Sequence, residues 1–526
     1  MGSRQSADAG RTILEAGGNA ADAAVAAAFA TAAGDAAITS LAGGGVFIHR
    51  DGESGEIEVC DFFVSAPGLG GRRTGGGNGD VGPLDFCPVE LDFGTGETSQ
   101  VFHVGRGSAA VPGVIPGLVS ALDRWGSLSL SEVTAPAVTL LREGIRLTPY
   151  QASCFVVLEP ILRHSATGRR LHFDGGEKLL SAGSLFRNPE LAETLERLGR
   201  QGFERVYRQG IQRTVLEEFG EESGGWLTPE DLERWEPRFR EPLVAEHAGA
   251  RVATNPPPSL GGRFILLTLS LSERIGVARV PEGSPERYRR LAAVFRAISE
   301  VRAEDPEIVG RRDAEDILVR RLETILGDSS GEPEARAEPR AAGNTTHVSV
   351  IDEKGNAAGV TISHGEGCGH WIGDTGLHMN NILGEEDLFP GGFHRFTPGE
   401  RLATMMAPTI IAEPSGAVAV FGSGGANRIR TAMVQVISAL LDDRLEVHAA
   451  VERGRLHFEG GVLSAEIYGL PGGEEAIREA RKLARETKLF QAASLFFGGV
   501  HLVRRSADGD ITGAGDPRRS GVVQVA

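Results

Sequence analysis

Residues 343–350 read GNTTHVSV, and the hydroxyls of Thr345 and Thr346 stand where a turn-forming Gly-Asn pair meets an alternating, β-type stretch. Strands favour threonine for its branching alone. A threonine hydroxyl becomes a nucleophile only when a base takes its proton. Thr345 has its own route to one. If the bond before it is cut, a free α-amino group appears beside the hydroxyl, and an α-amine with a pKa of about 8 keeps a usable neutral fraction near pH 7. That amine can take the proton directly or through water. Upstream, residues 327–344 (GDSSGEPEARAEPRAAGN) carry no hydrophobic period and read as an exposed linker, a place where a chain can be cut.

Other stretches look chemical and are weaker. GDSSG at 327–331 has no matching His and Asp context for a serine nucleophile. The glycine run at 68–79 lacks a strand–GxGxxG–helix setting and reads as a surface loop. HGEGCGHWIGD gathers His364, Cys368, His370 and Asp374, but interleaved glycines and unsuitable helix spacing favour a glycine-rich loop beside a pocket over a metal centre. His347 alternates to the face of Thr345 and is expected to make a structural hydrogen bond. No cofactor or metal is called for.

These residues need a frame. Alternating strands are predicted near both ends of the chain and helices in the middle. An alanine-rich helix follows EAGGNA with Asn19 as its cap. THVSVIDEKGNAAGVTIS reads as a hairpin turning at Lys354-Gly355-Asn356, and TMMAPTIIAEPSGAVAVFGSGG repeats the strand–turn–strand form. NRIRTAMVQVISALLD and GEEAIREARKLARET read as helices. Sheets packed with helices follow, an α+β class.

The chain has 526 residues, 41% of them hydrophobic, enough for a large core. Its formal charge of −17 argues against a general nucleic-acid or anionic-membrane surface. Four dispersed cysteines and no cationic, apolar start make an oxidised secreted framework unexpected, so a cytoplasmic location is the default.

Many ordered motifs now coincide: GGNAADAAVA (17–26), LAGGGVF (41–47), SAAVPGVIPGL (108–118), GWLTPEDL (225–232), NPPPSLGG (255–262), NTTHVSVIDEKGNAAGVT (344–361), MAPTII (406–411), GSGGANRIR (422–430) and GAGDPR (513–518). With these the chain resembles the γ-glutamyltransferase family of N-terminal nucleophile hydrolases. The resemblance implies a four-layer αββα sandwich made as one precursor. It implies self-cleavage between Asn344 and Thr345 into a large piece, 1–344, and a small piece, 345–526, that stay associated as one intertwined domain. Thr345 is then the nucleophile and Ser363 its supporting hydroxyl. The N–H groups of Gly425 and Ala426 form the oxyanion hole. The partner is a small amide or acyl substrate, with no nucleic acid or membrane involved.

The substrate half departs from the family pattern. Phe63 stands where the family places an arginine for the glutamate carboxylate, and phenylalanine cannot make that bidentate pair. The Ser-Ser pair becomes Ala403-Thr404. The positions that hold the substrate amine fall on Ile382 and Glu385, and a nearby amide position falls on Gly365, or on His364 with a one-residue shift. Arg72, Arg73 and Arg106 are candidates for a replacement anchor, whereas Arg428 is expected to order the oxyanion turn. The sequence thus predicts a self-processing threonine amidohydrolase or acyltransferase with an altered acyl pocket. The alternatives are a conventional glutathione hydrolase or transpeptidase with relocated anchors, a natural-product biosynthetic hydrolase that could extend to C–C cleavage, and an inactive binding protein of the same fold.

Overall fold

Ala20–Gly34 is a helix in which all 15 residues are buried, and this explains its alanine content. A helix with no solvent face needs side chains small enough for close approach on every side. Asn19 caps it: its Oδ1 accepts from the N–H groups of Ala21 and Asp22, and the Asp22 carboxylate accepts from the N–H of Asn19 at 2.9 Å. The computed structural model describes residues 1–36, 38–71, 83–92, 99–327, 344–389 and 392–526. It divides into two units, Met1–Glu241 with Gly343–Thr404 and Val522–Ala526, and Pro242–Ala342 with Met405–Gly521.

The first unit holds a five-stranded antiparallel sheet in the order Thr345–Ile351, Ala357–Ser363, Gly44–Arg50, Ile57–Phe62, Arg238–Arg240. The hairpin predicted around Lys354-Gly355-Asn356 joins the first two strands, and Gly355 takes the left-handed conformation the turn requires. The Ala20–Gly34 helix packs on these two strands, and Val114–Trp125 packs on the next two. Phe29, Phe47, Phe62, Val348 and Val360 belong to one continuous apolar core.

The second unit has a six-stranded antiparallel sheet: Leu243–His247, Ala250–Thr254, Thr409–Ala412, Val418–Gly424, Gly499–Arg505, Ile511–Ala514. Helices Gly261–Arg274, Pro285–Glu304 and Ile429–Leu441 share a separate apolar core with Phe264, Phe295 and Phe421. The GAGDPR motif lies in this unit. Arg518 forks onto Glu466 and also meets Asp516, which accepts from Arg455, so four buried charges satisfy one another.

One predicted element is different. GEEAIREARKLARET forms two short helical turns, Gly473–Ala476 and Arg478–Arg481, and then a strand, Glu486–Phe490, parallel to Val462–Glu466. Ala476, Ile477, Ala480 and Leu483 are all buried, so packing and strand pairing override the local helix preference.

Candidate active site

The predicted nucleophile is the first residue of the edge strand Thr345–Ile351, and the hairpin register sets what it faces. Thr345 lies directly opposite Ser363, and Ser363 lies opposite Gly44 on its other side. Residues opposite one another across a ladder share a sheet face, so the Thr345 and Ser363 side chains emerge together. Both are buried. The Ser363 hydroxyl donates to the carbonyl oxygen of Asn344 at 2.5 Å. That carbonyl belongs to the bond expected to be cut.

Gly44 carries no side chain for a steric reason. A Cβ there would fall 2.6 Å from the Val64 nitrogen and 2.9 Å from Cδ2 of Phe63. The missing side chain makes room for the Phe63 ring, which lies in the space a residue at 44 would fill, in line with Ser363 and Thr345. Phe63 is 3% exposed, so its ring is a wall rather than a surface contact.

On the other flank, the Gly365 N–H donates to Ser363 Oγ at 3.1 Å. Position 365 has φ +68°, and a Cβ would land 2.2 Å from Asn381 Oδ1 and 2.6 Å from Glu385 Oε1. The amide expected near the nucleophile is thus absent at 365, and the space is taken by Asn381 and the Glu385 carboxylate. Asn381 Oδ1 also accepts from the N–H groups of Glu366 and Gly367. Ile382 is buried at the start of a short 3₁₀ turn. Ala403 and Thr404 follow a segment bridged to Val64 and Ser65 through Leu402 and Arg401. The first unit therefore brings together Asn344, Thr345, Ser363, Phe63 and Glu385, with Ile382, Ala403 and Thr404 on connected segments.

Gly425 and Ala426 lie in the second unit, in the turn that opens the helix Ile429–Leu441. Gly425 has φ +124° and Ala426 φ +46°. A Cβ on Gly425 would meet Gly498 Cα at 2.8 Å, so only glycine fits. N–H groups at such a helix entry are suited to anions. Arg428 holds this turn, as expected: its Nε donates to the Phe496 carbonyl at 3.1 Å and its guanidinium lies over the Phe496 ring.

His347 makes the structural bonds expected of it. Its two ring nitrogens lie 2.8 Å from the hydroxyls of Thr361 and Ser349. Burial holds its pKa well below the ordinary range. The HGEGCGHWIGD stretch is a loop with Gly365, Gly367, Gly369 and Gly373 all in the left-handed region. Among the described residues no group of His, Cys, Asp and Glu is arranged to hold a metal. His370 Nε2 instead lies 3.3 Å from Asp85, which also takes Arg106 at 3.2 Å. Arg106 is thus already paired, while Arg72, Arg73 and most of the linker fall outside the described residues.

Asp61 and Arg401 escaped the sequence reading. Asp61 Oδ1 accepts from the Phe63 N–H at 3.0 Å, and Arg401 donates to the Phe63 carbonyl. A lone carboxylate in the apolar CDFFV strand was the available signal.

A family model described as gamma-glutamyltranspeptidase matches residues 6–526. The chain belongs to the gamma-glutamyltranspeptidase family. It is an enzyme of the hydrolase and acyltransferase class of N-terminal nucleophile proteins. It is 30% identical over 525 residues to an acylase ACY 1 proenzyme of Pseudomonas sp. (strain SE83), covering 98% of this chain and 90% of that one. It is 28% identical over 476 residues to a glutathione hydrolase proenzyme of Bacillus subtilis (strain 168), covering 85% and 78%. In structure it is similar to a cephalosporin acylase from Bacillus halodurans, with a TM-score of 0.77 at 22% identity, covering 99% and 94%. That likeness shows the fold, a mixed α+β architecture shared with that acylase.

Proposed function

We propose that this chain is a self-cleaving threonine amide hydrolase or acyltransferase whose acyl pocket is built for an apolar chain. The observation that carries the reading is the Ser363 hydroxyl on the Asn344 carbonyl. A short bond to that oxygen draws charge from the carbon that Thr345 Oγ would attack, and it holds the oxyanion as it forms. Attack makes a C–O bond. Collapse breaks the C–N bond and leaves the Asn344 acyl group on Thr345 Oγ with the α-amine free. Water then hydrolyses the ester, leaving an Asn344 carboxylate and restoring the hydroxyl.

In turnover the α-amine takes the Oγ proton while Oγ attacks the substrate carbonyl. The amine returns the proton to the leaving nitrogen. Water or an acceptor amine then resolves the acyl-enzyme. Phe63 beside Gly44 supports an apolar acyl chain, because a ring in that space offers contact area and no charge for a carboxylate.

Glu385 beside Gly365 favours a second reading, in which the acyl chain still carries an amine, as a γ-glutamyl group does. Both readings are tested together. Denaturing gels should show two fragments for the wild-type chain and one for Thr345→Ala. The purified protein is then offered γ-glutamyl, acetyl and hexanoyl p-nitroanilides and glutathione. Preferred hexanoyl turnover supports the first reading, and efficient glutathione cleavage overturns it in favour of the second. A single uncleaved, inactive chain overturns both.

A further inference from the structure

Phe63 lies one residue past the end of its strand, so the sheet ladder does not fix it. Two buried side chains do so instead. Asp61 accepts its N–H, and Arg401 donates to its carbonyl. The second arm of Arg401 donates to the Glu236 carbonyl at 2.6 Å, and its guanidinium lies 4.7 Å from the centre of the Trp235 ring. Asp61 sits between two cations, with Arg401 Nε at 3.8 Å and Arg240 at 3.4 Å. The side chains of Arg401 and Asp61 are 2% and 7% exposed, and both are engaged with the main chain at Phe63 and with each other.

Keeping a guanidinium there is costly. Burial lowers the Arg401 pKa to about 10, with Asp61 offsetting part of the effect. An apolar pair of similar volume would often hold a fold at least as well as a buried ion pair. What an apolar pair cannot do is bond both main-chain groups of one residue. We propose that Asp61 and Arg401 form a clamp that fixes the backbone of Phe63, aims its ring into the space above Gly44, and so sets which acyl chains the site accepts. Both are positioning residues. The inference rests on the reading of Phe63 as the wall for the acyl chain.

The test uses the full-length chain with Arg401→Lys, Arg401→Met and Asp61→Asn. Lysine keeps the charge but not the fork; methionine keeps the bulk alone. Asparagine keeps an acceptor for the Phe63 N–H and removes the charge beside Arg401. The readout is the ratio of kcat/KM for hexanoyl over acetyl p-nitroanilide. Hydrophobic pockets resolve a methylene by roughly 10–200-fold, so a loosened wall should lower this ratio by about tenfold, with Lys above Met. A general scaffold role would lower both substrates alike. Folded, cleaved variants with the wild-type ratio overturn the clamp. So does failure of all three to accumulate as cleaved protein, which would make the pair part of the scaffold. Wild-type protein that cleaves neither anilide sinks the apolar-acyl reading and takes the clamp with it. Wild-type protein that cleaves acetyl but shows no gain for hexanoyl overturns the Phe63 wall and the clamp together.

Discussion

Ser363 faces Thr345 across the ladder, and its hydroxyl bonds the carbonyl of the residue just before that threonine. One hydroxyl is thus held on the expected scissile bond by strand register and by the Gly365 N–H, before any substrate arrives. Replacing it should slow cleavage more than it disturbs the fold. Loss of one oxyanion donor costs about 10²–10³ in rate, so Ser363→Ala should delay the appearance of two fragments on a gel by that order. Ser363→Thr, which keeps the hydroxyl, should cleave readily. Equal cleavage rates for wild type and Ser363→Ala would remove the role.

Phe63 should matter for chain preference and not for self-cleavage. Removing a buried aromatic ring forfeits about 2 kcal/mol of apolar contact. Phe63→Ala should therefore lose at least tenfold in kcat/KM for hexanoyl anilide, while Phe63→Leu should lose less. Steady-state kinetics on the cleaved protein measures this. A hexanoyl preference that survives the alanine change would place the acyl chain elsewhere.

Ala426 holds φ +46°, a conformation that costs an L-residue roughly 1–2 kcal/mol. Ala426→Gly should leave melting temperature and turnover near wild type or better. Ala426→Val should depress both, since a β-branched side chain fits that conformation poorly. Calorimetry and kcat on the two variants separate backbone geometry from the loss of an N–H, which both retain.

Acid should weaken the fold before most carboxylates titrate. Burial lowers the His364 pKa to about 3 and the His172 pKa to about 4, with the Gly168 carbonyl, which accepts from the His172 ring, partly opposing the latter. These rings are neutral when folded and bind a proton readily only when unfolded. Their contribution is present above the unfolded pKa of about 6.5 and is lost progressively as pH falls from there toward the folded values. Each should cost about 2 kcal/mol between pH 6.5 and 5. Melting temperatures across that interval should fall steeply, and His364→Leu should flatten the slope. A flat wild-type profile would mean these rings gain protons without penalty.

The elements were legible where a local rule and the tertiary structure agree. Asn19, Thr228 and Asn188 announced helices that start where their side chains cap. The hairpin around Gly355 fixed the register that sets Thr345 against Ser363. What the sequence hid was side-chain traffic between distant segments. Arg401 reaches Phe63 across 338 positions, and no pattern of spacing encodes that bond. Gly365 read as a lost amide, yet it is the room that Asn381 and Glu385 occupy. The Glu486–Phe490 strand hid within a helical pattern because its partner, Val462–Glu466, exposes its pairing edge only in the folded state.

Each of the two units draws on chain from both sides of the Asn344–Thr345 bond. A cut there would therefore not produce two bodies that meet and part. Pulling the fragments asunder would mean tearing strands from both sheets and emptying both cores, the same work as denaturing the protein. Dilution of the folded protein should leave the pair intact, and its falling apart should coincide with thermal unfolding, whose midpoint should rise with protein concentration because two chains are released together.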